Sequence, residues 1–282
     1  MPSTLDSLSI DCDGLALHVR QRNPAGAPPV LFLHGWLDHS HSFDAVVERL
    51  PEDWRLLLLD FRGMGRSAHL PRGAQYHFTD YFLDVEATLN ALGLAQVHVV
   101  GHSLGGIVAT AYAAARPERV RSLTLIESLG PSGGPQTVAL ERLRGFLDDS
   151  ARPPNRKRYP SVEAAAARLR ENNPSLTPEA AHHLALHGTE ASEGGFVFRF
   201  DPVHRRRFGY GYDEAQWLAI AQAVTCPVRL LFGSHGLPFD SPQARARLEA
   251  LRAPPPLTLP GGHHLHLEQP DAVARALVDF LR

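Results

Sequence analysis

A serine flanked by small residues, at the junction of an apolar run and a helical stretch, is the chain's clearest candidate for chemistry. Gly101-His102-Ser103-Leu104-Gly105-Gly106 follows Val97-His98-Val99-Val100 and opens Ile107-Val108-Ala109-Thr110-Ala111. Gly-x-Ser-x-Gly between a strand and a helix makes a turn so tight that the serine is held in a strained backbone conformation, with room only for small neighbours. The hydroxyl then stands at the carboxyl end of a strand, where the following helix offers free N–H groups and the positive end of its dipole to any anion formed. Such a serine performs nucleophilic acyl transfer. That reaction also needs a base within hydrogen-bond reach, a group orienting the base, and donors aimed at the developing oxyanion. Three histidines, His263, His264 and His266, compete for the role of base within Pro260-Gly261-Gly262-His263-His264-Leu265-His266-Leu267-Glu268-Gln269-Pro270. Metal binding is the other chemistry that clustered histidines suggest. The loop has no matching carboxylate-histidine pattern elsewhere and a metal would consume the base, so neither metal nor cofactor is expected.

The elements that must position these residues follow from periodicity. Leu15-Ala16-Leu17-His18-Val19 alternates as an early strand. Val30-Leu31-Phe32-Leu33, Leu56-Leu57-Leu58-Leu59, Val97 to Val100, Leu123-Thr124-Leu125-Ile126 and Val228-Arg229-Leu230-Leu231-Phe232 are apolar throughout. Runs of that kind are strands buried on both faces, which means a parallel sheet covered by helices. Residues 43–50, 81–92 and 104–115 have helical spacing, and Pro117 ends the last of these. The fold class predicted is α/β, with a mostly parallel central sheet and helices on both faces. In such sheets ligands gather at the carboxyl ends of the strands, so the residues just after each run matter most. After the Val30 run comes His34-Gly35-Trp36, and after the Leu56 run comes Asp60-Phe61-Arg62-Gly63-Met64-Gly65-Arg66-Ser67.

The rhythm breaks after Ile126. Residues 130–222 are rich in Pro, Gly, Ala and Arg. Ser161 is placed to cap a helix through Arg170, and Thr177-Pro178 to start one that Gly188 ends. This block reads as a mainly helical cap, 130–222, inserted into a core made of 1–129 and 223–282. Arg205-Arg206-Arg207 reads as its solvated face.

In their order and spacing the elbow, the strand-end motifs and the histidine loop resemble the α/β-hydrolase superfamily over essentially the whole chain. Glu193-Gly194-Gly195-Phe196-Val197-Phe198-Arg199 and Phe232-Gly233-Ser234-His235-Gly236 are similar to its serine-hydrolase-like subgroup. The resemblance implies Ser103 as nucleophile and, through the family's Gly-His pair, His263 as base, with His264 and His266 as the alternatives. It implies the backbone N–H groups of Trp36 and Leu104 as oxyanion donors, with His34 buttressing the oxyanion loop. Serine at the elbow argues against haloalkane dehalogenase or epoxide hydrolase chemistry, which uses a carboxylate there.

The acid departs from the family pattern. Most relatives carry an aspartate where this chain has Gly236. Two carboxylates could replace it: Asp240, on a shifted loop, and Glu127, at the end of the strand after the nucleophile. Glu127 is preferred, since a strand fixes it and a fixed carboxylate orients a base better.

The expected activity is therefore a metal-free serine hydrolase cleaving a small or medium carboxylic ester, or a thioester, lactone or amide, through an acyl-enzyme. The missing aspartate supports an alternative, a ligand-binding or signalling protein on the same fold with little turnover. The 282 residues carry a formal net charge of -2, which favours neither nucleic acid nor an anionic membrane as partner, leaving a small ester-like molecule. Cys12 and Cys226 are far apart and outside metal-ligand spacing, and no leader or long apolar span is apparent, so a cytoplasmic location is expected. The oligomeric state is left open.

Overall fold

Alternation along each apolar strand decides what its two faces meet. In the third strand Leu31 and Leu33 enter one core cluster and Val30 and Phe32 the other; the fourth divides Leu57 and Leu59 from Leu56 and Leu58 in the same way. Both faces are thus apolar, and both are covered. The computed structural model describes residues 5–131 and 138–282. The chain runs β1 (Asp6–Cys12), β2 (Leu15–Arg22), β3 (Pro29–Leu33), α1 (Asp44–Val47), β4 (Arg55–Asp60), α2 (Asp80–Ala91), β5 (Val97–His102), α3 (Leu104–Ala115) and β6 (Val120–Ile126). Next come α4 (Ala139–Ser150), β7 (Arg158–Tyr159), α5 (Val162–Asn172), α6 (Pro178–Gly188), β8 (Thr189–Ser192), β9 (Gly195–Phe198) and α7 (Glu214–Gln222). The chain closes with β10 (Val228–Gly233), α8 (Pro242–Leu251), β11 (Leu257–Leu259), α9 (Leu265–Glu268) and α10 (Pro270–Leu281).

One large sheet has the order β1-β2-β4-β3-β5-β6-β10-β11. Its β1–β2 and β2–β4 pairs are antiparallel and the others parallel. Because β3, β5, β6 and β10 run the same way side by side, the residues following each of them collect on one edge. That edge carries His34, Ser103, Glu127 and the turn after Gly233. The segment between β6 and β10 holds helices α4 to α7, a small sheet ordered β7-β9-β8, and a separate cluster of Tyr159, Leu176, Leu184 and neighbouring alanines. Ser161 and Thr177 cap α5 and α6 by accepting from Ala164 and Ala180 N–H.

The structure departs from the sequence expectations at several points. The predicted helix 43–50 is a 3-10 turn (Ser40–Phe43) followed by the single turn α1. Strand β1 went unpredicted because, as a polar edge strand, it buries only Ile10 and Cys12. The arginine run is not a plain solvated face: Arg207 pairs with Asp149 at 2.9 Å, and Arg205 lies over the Phe200 ring. Among the described residues no helix is long and apolar enough to cross a membrane.

His204 joins the inserted segment to the core. It is 2% exposed, stacks on Tyr76, and shares hydrogen bonds with the Tyr81 hydroxyl and the Arg62 carbonyl. Burial pushes its pKa down to about 4. The unfolded chain therefore takes up a proton below about pH 6.5 that the folded chain refuses until about pH 4, so stability is full above this window and falls within it. His204→Gln is expected to remove about 3 kcal/mol of the loss between pH 6.5 and 4. Thermal unfolding across that range checks it, and an unchanged slope would refute it.

Candidate active site

Ser103 is the N-cap of α3, with φ +50° and ψ -115°, a combination available to a non-glycine residue only under strain. The sheet and helix hold it there. Its N–H donates to the Ile126 carbonyl at 3.1 Å, and its carbonyl accepts from Ser128 Oγ at 2.8 Å. A Cβ at Gly105 would overlap the Leu33 carbonyl, which is why the elbow admits only a glycine there. Ser103 Oγ lies 3.0 Å from His263 Nε2, the geometry of a hydroxyl donating to a base.

The other ring nitrogen of His263 faces Glu127. Nδ1 is 3.4 Å from Glu127 Oε2, long for a charge-assisted bond but within reach. Glu127 follows β6 directly, is 0% exposed, and itself has φ +50°. Its N–H is tied to the Leu231 carbonyl of β10 at 2.9 Å. Its carboxylate reaches across to the turn after β10, where Oε1 accepts from Gly233 N–H at 2.5 Å and Oε2 from Leu237 N–H at 2.7 Å. A Cβ at Gly236 would fall inside that carboxylate. Gly236 is thus the space that Glu127 fills. Asp240 is exposed and makes no hydrogen bond to His263. The sequence expectations placed Ser103, His263 and Glu127 together, and the structure brings these three to one point while leaving Asp240 outside.

The loop after β3 lies against the serine. A Cβ on Gly35 would sit 3.5 Å from Ser103 Cβ. The N–H of Trp36 makes no hydrogen bond within the described chain, and that of Leu104, first residue of α3, has no intrahelical acceptor. Both are thus free for a substrate oxygen, while the Trp36 side chain is 52% exposed beside them. Buried His34 fastens this loop: Nδ1–H donates to the Gly35 carbonyl at 2.7 Å and Nε2 accepts from Phe61 N–H at 3.0 Å. Burial lowers its pKa, keeping it in the neutral form these two bonds require.

The histidine loop is held from several sides. Gly262 N–H donates to Glu268 at 2.7 Å, and His102 Nε2–H donates to the His263 carbonyl at 2.8 Å. His102 lies within the elbow motif, immediately before Ser103. The structure makes it a strut under His263, which no sequence signal short of the fold could have shown. His264 Nδ1 accepts from Asn173 Nδ2 at 2.6 Å, joining the loop to the C-terminal end of α5. His266 is 0% exposed and grouped with Asp38 and His102, not with Ser103. Asp38 thus lies within 4.8 Å of His266 without a hydrogen bond between them. Asp38 Oδ2, His102 Nδ1 and both His266 nitrogens have no hydrogen-bond partner among the described residues. Burial pushes the His266 pKa down to about 3, so this side chain stays neutral.

Comparison with known proteins bears on this geometry. A family model described as alpha/beta hydrolase fold matches residues 28–270. A serine hydrolase-like protein of Danio rerio is 34% identical over 271 residues, covering 92% of this chain and 83% of that protein. Among solved structures, a hypothetical protein from Pseudomonas aeruginosa is 33% identical with a TM-score of 0.87, covering 97% of both chains. A thioesterase domain from the curacin biosynthetic pathway is 26% identical, also with a TM-score of 0.87, covering 98% of this chain and 99% of that one.

Proposed function

We propose that this chain, which belongs to the alpha/beta hydrolase fold family and within it to the serine-hydrolase-like group, is a serine hydrolase acting on a small or medium carboxylic ester through an acyl-enzyme. The observation that carries the reading is the line from Ser103 Oγ through His263 to the buried Glu127 carboxylate, with contacts of 3.0 and 3.4 Å.

In this reading Ser103 Oγ attacks the ester carbonyl while its proton passes to His263 Nε2. The imidazolium so formed is stabilised by Glu127, whose carboxylate is oriented by two backbone N–H donors. The oxyanion is met by the N–H groups of Trp36 and Leu104. His263 then gives its proton to the leaving alcohol, and water repeats the sequence to release the acid. Glu127 also removes the main argument for a binding protein without turnover, since the position vacated at Gly236 is filled by another carboxylate. A thioester is the second substrate class favoured, on the likeness to the thioesterase domain.

The test is a pre-steady-state experiment with p-nitrophenyl esters of increasing acyl length, alongside acyl thioesters. A covalent intermediate whose breakdown is slower than its formation gives a burst of about one equivalent of leaving group per chain, with the matching acyl adduct in the intact mass. Absence of turnover across the whole panel would return the chain to the binding-protein reading.

A further inference from the structure

Where α6 packs on the segment between β3 and β4, four side chains converge that the hydrolytic site does not use. His183 and His187 stand four residues apart on α6, the spacing that stacks two side chains on one helix face. His41 and Asp44 face them from the other side. One donor atom from each of the four lies within 4.8 Å of every other. The side chains are partly open, at 13% exposure for His41, 14% for Asp44 and 37% for His183.

Three imidazoles and one carboxylate are the donor set of a four-coordinate transition-metal site, richer in nitrogen than the oxygen sets that magnesium and calcium take. We propose that His41, Asp44, His183 and His187 bind one divalent cation of the zinc class, tying α6 to the core. Without an ion, Asp44 Oδ2 takes hydrogen bonds from His41 Nδ1 at 2.8 Å and His183 Nε2 at 3.2 Å. His187 stands outside this bonding and stacks on His41, ring centroids 3.7 Å apart. A cation takes the place of these hydrogen bonds and draws His187 in as the remaining ligand: each neutral ring carries its N–H on the nitrogen facing away from the ion, and a protonated ring gives up one proton to solvent.

The surroundings hold the four in place. Arg20 donates to the other Asp44 oxygen at 2.5 Å, orienting the carboxylate while leaving Oδ2 to the site. His39 Nε2–H donates to the Leu184 carbonyl at 3.0 Å and fixes the backbone of α6 between the two histidines. The site is thus assembled before any ion arrives. The other group of three donors, Asp38, His102 and His266, lies behind His263, and one His102 nitrogen is already engaged there.

The test titrates cobalt(II) into chelator-treated protein carrying no affinity tag. One equivalent is expected to produce the intense visible bands of tetrahedral cobalt, which zinc(II) then abolishes, and the thermal midpoint is expected to rise with zinc concentration. His187→Ala and His183→Ala should each weaken binding at least about tenfold. His187→Ala should keep the circular dichroism and metal-free midpoint of the parent, since His187 makes no hydrogen bond among the described residues. His266→Gln should bind as the parent does. No stoichiometric binding, binding that survives both α6 substitutions, or binding lost only with His266→Gln would each overturn the assignment.

Discussion

Ser103→Ala is expected to lower kcat toward any ester the protein cleaves by roughly five to six orders of magnitude. The loss is that of the atom that becomes acylated, so nothing elsewhere can substitute for it. The residual rate over water comes from the two oxyanion donors and from binding, both of which the variant keeps. Alanine meets the same strain at φ +50° that serine does, and the substitution removes one hydrogen bond, to His263. Stability is therefore expected to change by no more than about 1 kcal/mol. Steady-state kinetics and thermal unfolding on the same preparation separate the two effects. Turnover within tenfold of the parent would place the nucleophile elsewhere.

The second large effect is at Glu127. Glu127→Gln keeps the shape and removes the charge that stabilises imidazolium, and is expected to lower kcat by roughly two to four orders of magnitude with little change in KM. It also changes stability. Both carboxylate oxygens accept backbone N–H groups, from Gly233 and Leu237, so the amide turns one donor toward another donor. That mismatch is expected to cost about 1–3 kcal/mol. Gly236→Ala pushes a methyl into the same carboxylate and should lower kcat in the same direction. Asp240→Asn, on the surface, should stay within about twofold of the parent. If Asp240→Asn is the damaging change and Glu127→Gln the silent one, the acid lies on the later loop.

The elements around the site were legible because they are strongly periodic or strongly punctuated. The five doubly buried strands read as apolar runs, and Ser161, Thr177-Pro178 and Gly188 mark helix ends that local hydrogen bonds alone decide. Ser103 was legible for a related reason: the elbow's steric demand is written in its own glycines. What escaped were relations between distant segments. Nothing local to His102 says that its Nε2 will reach a carbonyl 161 residues away, or that Asn173 will meet His264. The acid falls between these cases. Its two candidates could be named, and Glu127 preferred for its place at a strand end, but that Gly236 is the space for the Glu127 side chain could not be read from the sequence.

The central claim is that Ser103 is the acylated residue. Treating the protein with a fluorophosphonate and mapping the adduct by peptide mass spectrometry tests this most directly. One adduct per chain is expected, on the peptide carrying Ser103, absent from Ser103→Ala and formed far more slowly in His263→Ala, which lacks the base. A stoichiometric adduct on another residue, or no adduct at all on a folded protein, would contradict it.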